Sequence, residues 1–430
     1  MSLRAAAGVL AALCAAAALS CGPRAGGDVV TFWAFGVEGE HVAKLIPAFE
    51  RANPGIHVHV QMIPWNAAHE KLLTAFAGQS LPDVWQLGNT WIPEFTTLNA
   101  LEDLGPWLAR SRTLRQSCYF PGIWDTNVMD SVLYGIPWYV DTRVLFYRSD
   151  LFARAGVARP PRSWEEWRDD MRRVKALPGG EHYAILLPTD EWAQPVILAL
   201  QAGAGLLREG GRYADFKEPN FRRAFSFYVS LFAERLAPPL GNAQVANLYQ
   251  QFADGYFASD ITGPWNLEKF RLRLPPERQG DWATAPLAAE RAEDYPGVSL
   301  AGGSSLVVLR PSRCKDAAFR LIEFLAARER QLAFYRLTGD LPTRVDVWDD
   351  PVFTGDPHMQ AFLLQLRRIT PMPRVPEWER TAWAIAESAE RVILGQQTEE
   401  QSLDQLQTEV DRMLEKRRFL LDRETRGKAR

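Results

Sequence analysis

The chain of 430 residues is 47% hydrophobic and 23% charged, enough for two domains on the usual size of about 100–200 residues each. Its formal net charge of −3, with both signs interspersed, excludes the basic stripe that marks a nucleic-acid binder, and no nucleic-acid partner is expected. Aromatic residues reach 11% and include 15 Trp, a surplus suited to a binding surface that is half apolar and half wet.

Residues 1–20 combine a basic start at Arg4 with an apolar run over 5–19, the layout of an export signal. The run is too short and Ala-rich for a permanent membrane span. Its end, Ala18-Leu19-Ser20-Cys21, resembles a bacterial lipobox. That implies cleavage before Cys21, lipid attached to its thiol, and a protein anchored on the external or periplasmic face of a cell membrane; a plain secretory signal before an incidental cysteine is the alternative. Residues 21–27 then read as a lipidated, flexible tether. Only Cys118 and Cys314 remain in the body, either as a disulfide or as two separate thiols. No CxxC or Cys/His cluster suggests a metal, and no cofactor is expected.

In "DVVTFWAFG" a β-type run predicts a strand over 28–34 that stops at Gly36. Val42, Leu45, Ile46 and Phe49 follow at helical spacing until "NPG" breaks the pattern. A strand over 56–64, an amphipathic helix over 68–77 and a third strand in "PDVWQLG" complete the alternation of a parallel α/β sheet. Such sheets bind ligands beyond the carboxyl ends of their strands, here 34–38 and 88–91. His57 and His59 alternate along the second strand as a solvated face. "YGIPWYVDTRVLFYRSDLFARAG" is extended through Tyr147 and helical after it, and Ser163 with Glu166 forms a capping box. "PGVSLAGGSSLVVLR" is a β-type run interrupted by Gly302-Gly303. Residues 315–338 read as helix with a short break, and "GDLPTR" as a turn. The last stretch is helical around Gly395 and frays into a flexible basic tail over 419–430.

The ordered set "FERANPGIHV", "LPDVWQLG", "YGIPWYVDTRVLFYRSDLF", "PPRSWEEW", "DITGPWNL", "AGGSSLVV", "AAFRLIEFLA" and "TGDLPTR" resembles extracellular solute-binding proteins of carbohydrate importers of the ATP-binding-cassette type, maltose-binding proteins among them. The resemblance runs over about 28–416. It implies an α/β, two-lobe periplasmic-binding-protein fold of type II, with the ligand cleft between lobes joined by a multi-segment hinge. The N-terminal lobe would hold 28–139 and 305–344, and the C-terminal lobe 146–298 and 345–418. Crossings would lie at 140–145, at 299–304 and soon after Arg344.

A sugar pocket needs flat aromatics for C–H faces and planar polar groups for hydroxyls. Trp265, set after Gly263-Pro264 and beside Asn266, matches a ring-stacking tryptophan of the maltose-binding family, and Trp192 matches a second, with Asp190 as a nearby acceptor. Asp141 corresponds to an acidic residue that binds sugar hydroxyls, or else pairs with Arg143. Arg344 donates to hydroxyls or pairs across the hinge. Gly302 and Gly303 allow close backbone approach, or form a mere bulge. Phe35, Glu38, Asn89, Thr90 and Trp91 sit just past strand ends, and Trp138, Trp378 and Trp383 are further cleft candidates; Trp33 and Trp85 read as core.

The resemblance implies a monomeric, lipid-anchored receptor that captures a mono- or oligosaccharide and delivers it to a transmembrane permease. Two alternatives are the same fold holding a polyol or glycerol phosphate, and a secreted carbohydrate-active enzyme. No HExxH, GxSxG or P-loop pattern and no recognisable pair of catalytic carboxylates supports an enzyme.

Overall fold

Val30, Phe32 and Ala34 alternate along "DVVTFWAF" and point into one core, which makes Asp28–Phe35 an interior strand, β1. The computed structural model describes residues 27–179 and 181–428. The export signal, Cys21 and its tether up to residue 26 lie outside the described residues.

Strand β1 pairs in parallel with β2 (Ile56–Ile63) on one side and with β3 (Val84–Gly88) on the other. The sheet continues with antiparallel strands: Gly302–Val308 against β3, Ile136–Asp141 beyond it, and Leu341–Pro342 at the far edge. A second, antiparallel sheet sets Val144–Arg148 between Ser259–Thr262 and Trp282–Ala285. Each sheet has its own core. Phe32, Trp138 and Leu306 pack in the first, while Trp167, Val196, Tyr228 and Trp378 pack beside the second. The molecule has two lobes.

The link between them is short. Only Thr142 and Arg143 separate Ile136–Asp141 in the first sheet from Val144–Arg148 in the second. The short strand Ser299–Leu300 runs alongside: Thr142 Oγ1 donates to the Leu300 carbonyl (2.9 Å), Arg143 N donates to Ser299 Oγ (3.2 Å), and Ser299 Oγ donates to the Arg143 carbonyl (3.1 Å).

Several local expectations are corrected. The first helix divides into Gly36–Val42 and Ile46–Ala52 because Pro47, lacking an N–H, fits the first turn of a helix but not its interior. Ser163 accepts from Glu166 N (3.2 Å), yet the Glu166 carboxylate accepts from Arg162 N (2.8 Å), so the capping box is half formed. The interruption before Gly302–Val308 is at Ala301, and both glycines belong to the strand. "GDLPTR" contributes the edge strand Leu341–Pro342 rather than only a turn. The basic tail continues as a helix, Glu415–Lys428. Of the two readings for Cys118 and Cys314, the structure has two separate free thiols. His57 and His59 share the exposed face of β2, as expected.

Candidate ligand-binding site

A cavity of about 700 Å³ opens between the lobes at the carboxyl ends of β1 and β3. On the first wall, β1 runs into helix Gly36–Val42, with Glu38 in its first turn. Gly36 adopts φ +46°, and a Cβ there would lie 2.6 Å from Trp65 Cδ1. That close approach lets Trp65, the first residue of helix Trp65–Ala77, donate its indole N–H to Glu38 Oε2 (3.1 Å). Trp91 meets Trp65 edge-on at 6.0 Å, and buried Phe35 supports both rings from behind. Asn89 is pinned by donating to the Gly302 carbonyl (3.2 Å) and accepting from Ser305 Oγ (2.9 Å). Thr90 donates across the cleft to Glu379, in the first turn of helix Trp378–Ile393.

Tyr139 and Asp141, from one face of strand Ile136–Asp141, line the cavity with Gly302 and Gly303 opposite them in the sheet. A Cβ on Gly303, at φ +114°, would sit 2.3 Å from the Tyr139 carbonyl, so only glycine fits this crossing.

Trp265 is on the second wall. It is the first residue of helix Trp265–Arg273 rather than a loop residue, and 37% of it is exposed. Its ring folds back over Gly263, where a Cβ would meet Trp265 Cζ3 at 2.0 Å. The Arg143 guanidinium lies 4.4 Å from the ring centroid and pairs with Asp141 (2.7 Å) and Glu191 (3.8 Å). Both expectations for Asp141 therefore meet, since it borders the cavity and holds Arg143. Trp192, just before helix Ala193–Gln201, is the second indole on this wall.

A family model described as bacterial extracellular solute-binding protein matches residues 37–332. The chain belongs to the bacterial extracellular solute-binding proteins. Among solved structures, this solute-binding protein is 45% identical to the sugar-binding protein MalE of the phytopathogen Xanthomonas citri, with TM-score 0.88, covering 92% of this chain and 99% of that one. A solute-binding protein of an ABC transporter from Thermotoga lettingae, bound with alpha-D-tagatose, shares the fold at 24% identity and TM-score 0.76, over 90% of this chain and 100% of that one. The galactooligosaccharide-binding protein of Bacillus subtilis is 24% identical over 421 residues, 91% of this chain and 94% of its own.

Seven of the expected site residues of this solute-binding protein do not line the cavity. Trp138 is buried and stacks on Phe334 at 4.4 Å; successive strand residues face opposite ways, so Tyr139 takes the cleft face. Trp378 is wholly buried and supports Trp192 edge-on at 5.8 Å. Asn266 is buried, donating to Thr262 Oγ1 (2.8 Å) and accepting from Tyr249 (2.8 Å). Asp190 accepts from Asn242 N (2.8 Å) and Nδ2 (2.9 Å), tying down a loop. Arg344 is spent on Asp346 (2.6 Å) and the Thr113 carbonyl (3.1 Å). Phe35 acts from behind the wall, and Trp383 is exposed on its helix without lining the cavity.

The lining residues that sequence reasoning missed are chiefly Trp65, Tyr139, Asp340 and Glu379. Trp65 carried a usable signal, because it follows the end of β2 as Glu38 and Trp91 follow β1 and β3. Burial raises Glu38, Asp340 and Glu379 above the ordinary carboxylate range. The cavity lining is acidic on balance: Glu38, Asp141, Glu268, Asp340 and Glu379 face Arg143 and Lys269. Among the described residues no group of His, Cys, Asp or Glu is arranged to hold a metal ion, and no helix is long and apolar enough to cross a membrane.

Proposed function

We propose that this protein captures a saccharide outside the cytoplasm and presents it to the permease of an ATP-binding-cassette importer. The observation that carries this reading is a cleft with indoles on opposite walls, Trp65 and Trp91 facing Trp192 and Trp265, and hydrogen-bonding groups between them. Ring faces cover the C–H faces of a pyranose, and Asp141 with Asn89 and the glycine backbone meets its hydroxyls. The 45% identity to a sugar-binding protein supports the same reading. A glycerol phosphate is disfavoured by the acidic lining, which repels an anion.

Expected site roles stay with Trp265, Trp192, Asp141, Glu38, Asn89, Thr90, Trp91, Gly302 and Gly303. The lobe division at 28–139 with 305–344, against 146–298 with 345–418, belongs to the proposal, as do a monomeric state, a non-enzymatic role and a lipid anchor on Cys21. A thermal-shift screen against neutral sugars, amino sugars, polyols and sugar phosphates tests it. A saccharide at a hundred times its dissociation constant should stabilise the fold by about 2.7 kcal/mol. If sugar phosphates alone raise the melting temperature, or a glycan is cleaved on incubation, the saccharide-receptor reading fails.

A further inference from the structure

At the inner end of the first wall two carboxyl groups lack a cation of their own. Glu38 is almost fully buried, and its Oε2 holds the Trp65 indole N–H. Tyr139 OH accepts from Gln86 (3.2 Å) and Ser304 (3.0 Å), so its own proton is free to turn toward Glu38. Asp340, at the end of the turn after helix Arg328–Thr338, also lines the cavity; the Thr338 hydroxyl is the one donor acting on its carboxyl group, and Oδ2 is buried with no hydrogen-bond partner. A buried carboxylate oxygen without a donor is costly and uncommon, and this one lies at the cavity wall, where a bound group can supply the donor.

The neighbouring charges do not relieve the pair. Asp141 adds a third negative group beside Tyr139 and Asp340. Arg143 is already engaged by Asp141 and Glu191, and the imidazole of His41, on the same helix as Glu38, is the nearest basic group to it. Across the cleft, Glu268 approaches Gly339, beside Asp340, and is paired with Arg271, while Lys269, the other basic group of the lining, is held below its ordinary range by burial and is not among the charges that act most on Asp340. A neutral hydroxyl satisfies the orphan oxygen but leaves the excess charge, so such a complex must retain a proton on the pair. A protonated amine satisfies both.

We infer that Glu38 and Asp340 form a subsite for the ammonium group of an amino sugar, making a saccharide with an unacetylated amine the preferred ligand class. The inference rests on the saccharide reading above and narrows it. Burial and mutual repulsion keep the empty pair partly protonated. Ammonium binding then displaces that proton, and affinity rises with pH until the ligand amine itself loses its charge.

Calorimetry of the purified chain with a glucosamine disaccharide, its N-acetylated form and maltose, in buffers of different ionisation enthalpy, tests this. The amine form should bind about tenfold more tightly than either neutral sugar, the difference between a charged and a neutral hydrogen bond, and should release protons. Asp340→Asn and, independently, Glu38→Gln should abolish that preference, with folding checked by melting temperature. Equal or tighter binding of the neutral sugars, or a preference that survives both substitutions, overturns the ammonium subsite and leaves the saccharide reading standing. No heat and no melting shift with the glucosamine disaccharide, while another neutral saccharide of the wider screen binds, likewise overturns the ammonium subsite alone; silence across every saccharide of that screen overturns both.

Discussion

At the scale of single residues, Trp265 illustrates how a ligand-facing indole is held. Gly263 leaves space for the ring, and Arg143 covers one of its faces while being fixed by two carboxylates. Removing the ring by Trp265→Ala should weaken saccharide binding by about 1.5–3 kcal/mol, roughly tenfold to a hundredfold, with little change in melting temperature of the free protein. Arg143→Ala should weaken binding too, although Arg143 need not touch the ligand, and Arg143→Lys should restore only part because an ammonium does not stack as a guanidinium does. Titration calorimetry distinguishes these outcomes; an unaltered affinity in Arg143→Ala would remove its positioning role. The legibility of the site turns on similar detail. Trp265 is legible from its Gly-Pro turn together with the family resemblance, whereas the sequence favours Trp138 over Tyr139, one position along the same strand. A strand pattern identifies two faces but does not say which meets the cleft when both are apolar, and here the larger indole went to the core. Asp340 and Glu379 gave no signal because each reaches the cavity through tertiary packing rather than by following a strand of the parallel set.

At the scale of elements, β1 to β3 and their helices were readable because period and turn residues agree. The antiparallel entry of Gly302–Val308 between β3 and Ile136–Asp141 was not, since pairing partners separated by more than a hundred residues leave no local trace. This crossing depends on Gly303, and Gly303→Ala should destabilise the fold by about 3 kcal/mol through backbone strain and the clash with Tyr139, measured by denaturant unfolding. In the second sheet, Asp260 on strand Ser259–Thr262 is pushed up to about 7 by burial, with repulsion from Glu191 adding to it and Arg143 opposing. A raised native pKa means the native state binds more protons than the unfolded chain between about pH 4 and 7. The contribution of Asp260 to stability is therefore fully present below about pH 4 and lost as pH rises through about 7. Asp260→Asn should consequently raise the melting temperature relative to the parent at pH 8 and much less at pH 5. An equal effect at both values would show that Asp260 does not titrate in this range.

At the scale of the whole molecule, capture depends on how differently the ligand binds open and closed lobes. The Thr90–Glu379 contact joins the two walls without requiring ligand. A double-mutant cycle with Thr90→Val and Glu379→Ala, each of which removes one partner of the hydrogen bond, isolates that contact from anything either residue does to the sugar. We expect a coupling of about 1 kcal/mol in ligand affinity, and additive losses would mean the walls do not close through it. The two-residue passage at Thr142–Arg143, tied by hydrogen bonds to the neighbouring short strand, has a mechanical consequence. It contains no slack. Rotation of one lobe against the other must be absorbed as twist in Ile136–Asp141 and Val144–Arg148, the strands on either side of this passage, so the joint is expected to behave as a leaf spring rather than a loose pivot. Energy stored in such bending on closure would be returned on opening, so the backbone itself would do part of the work of handing over the ligand.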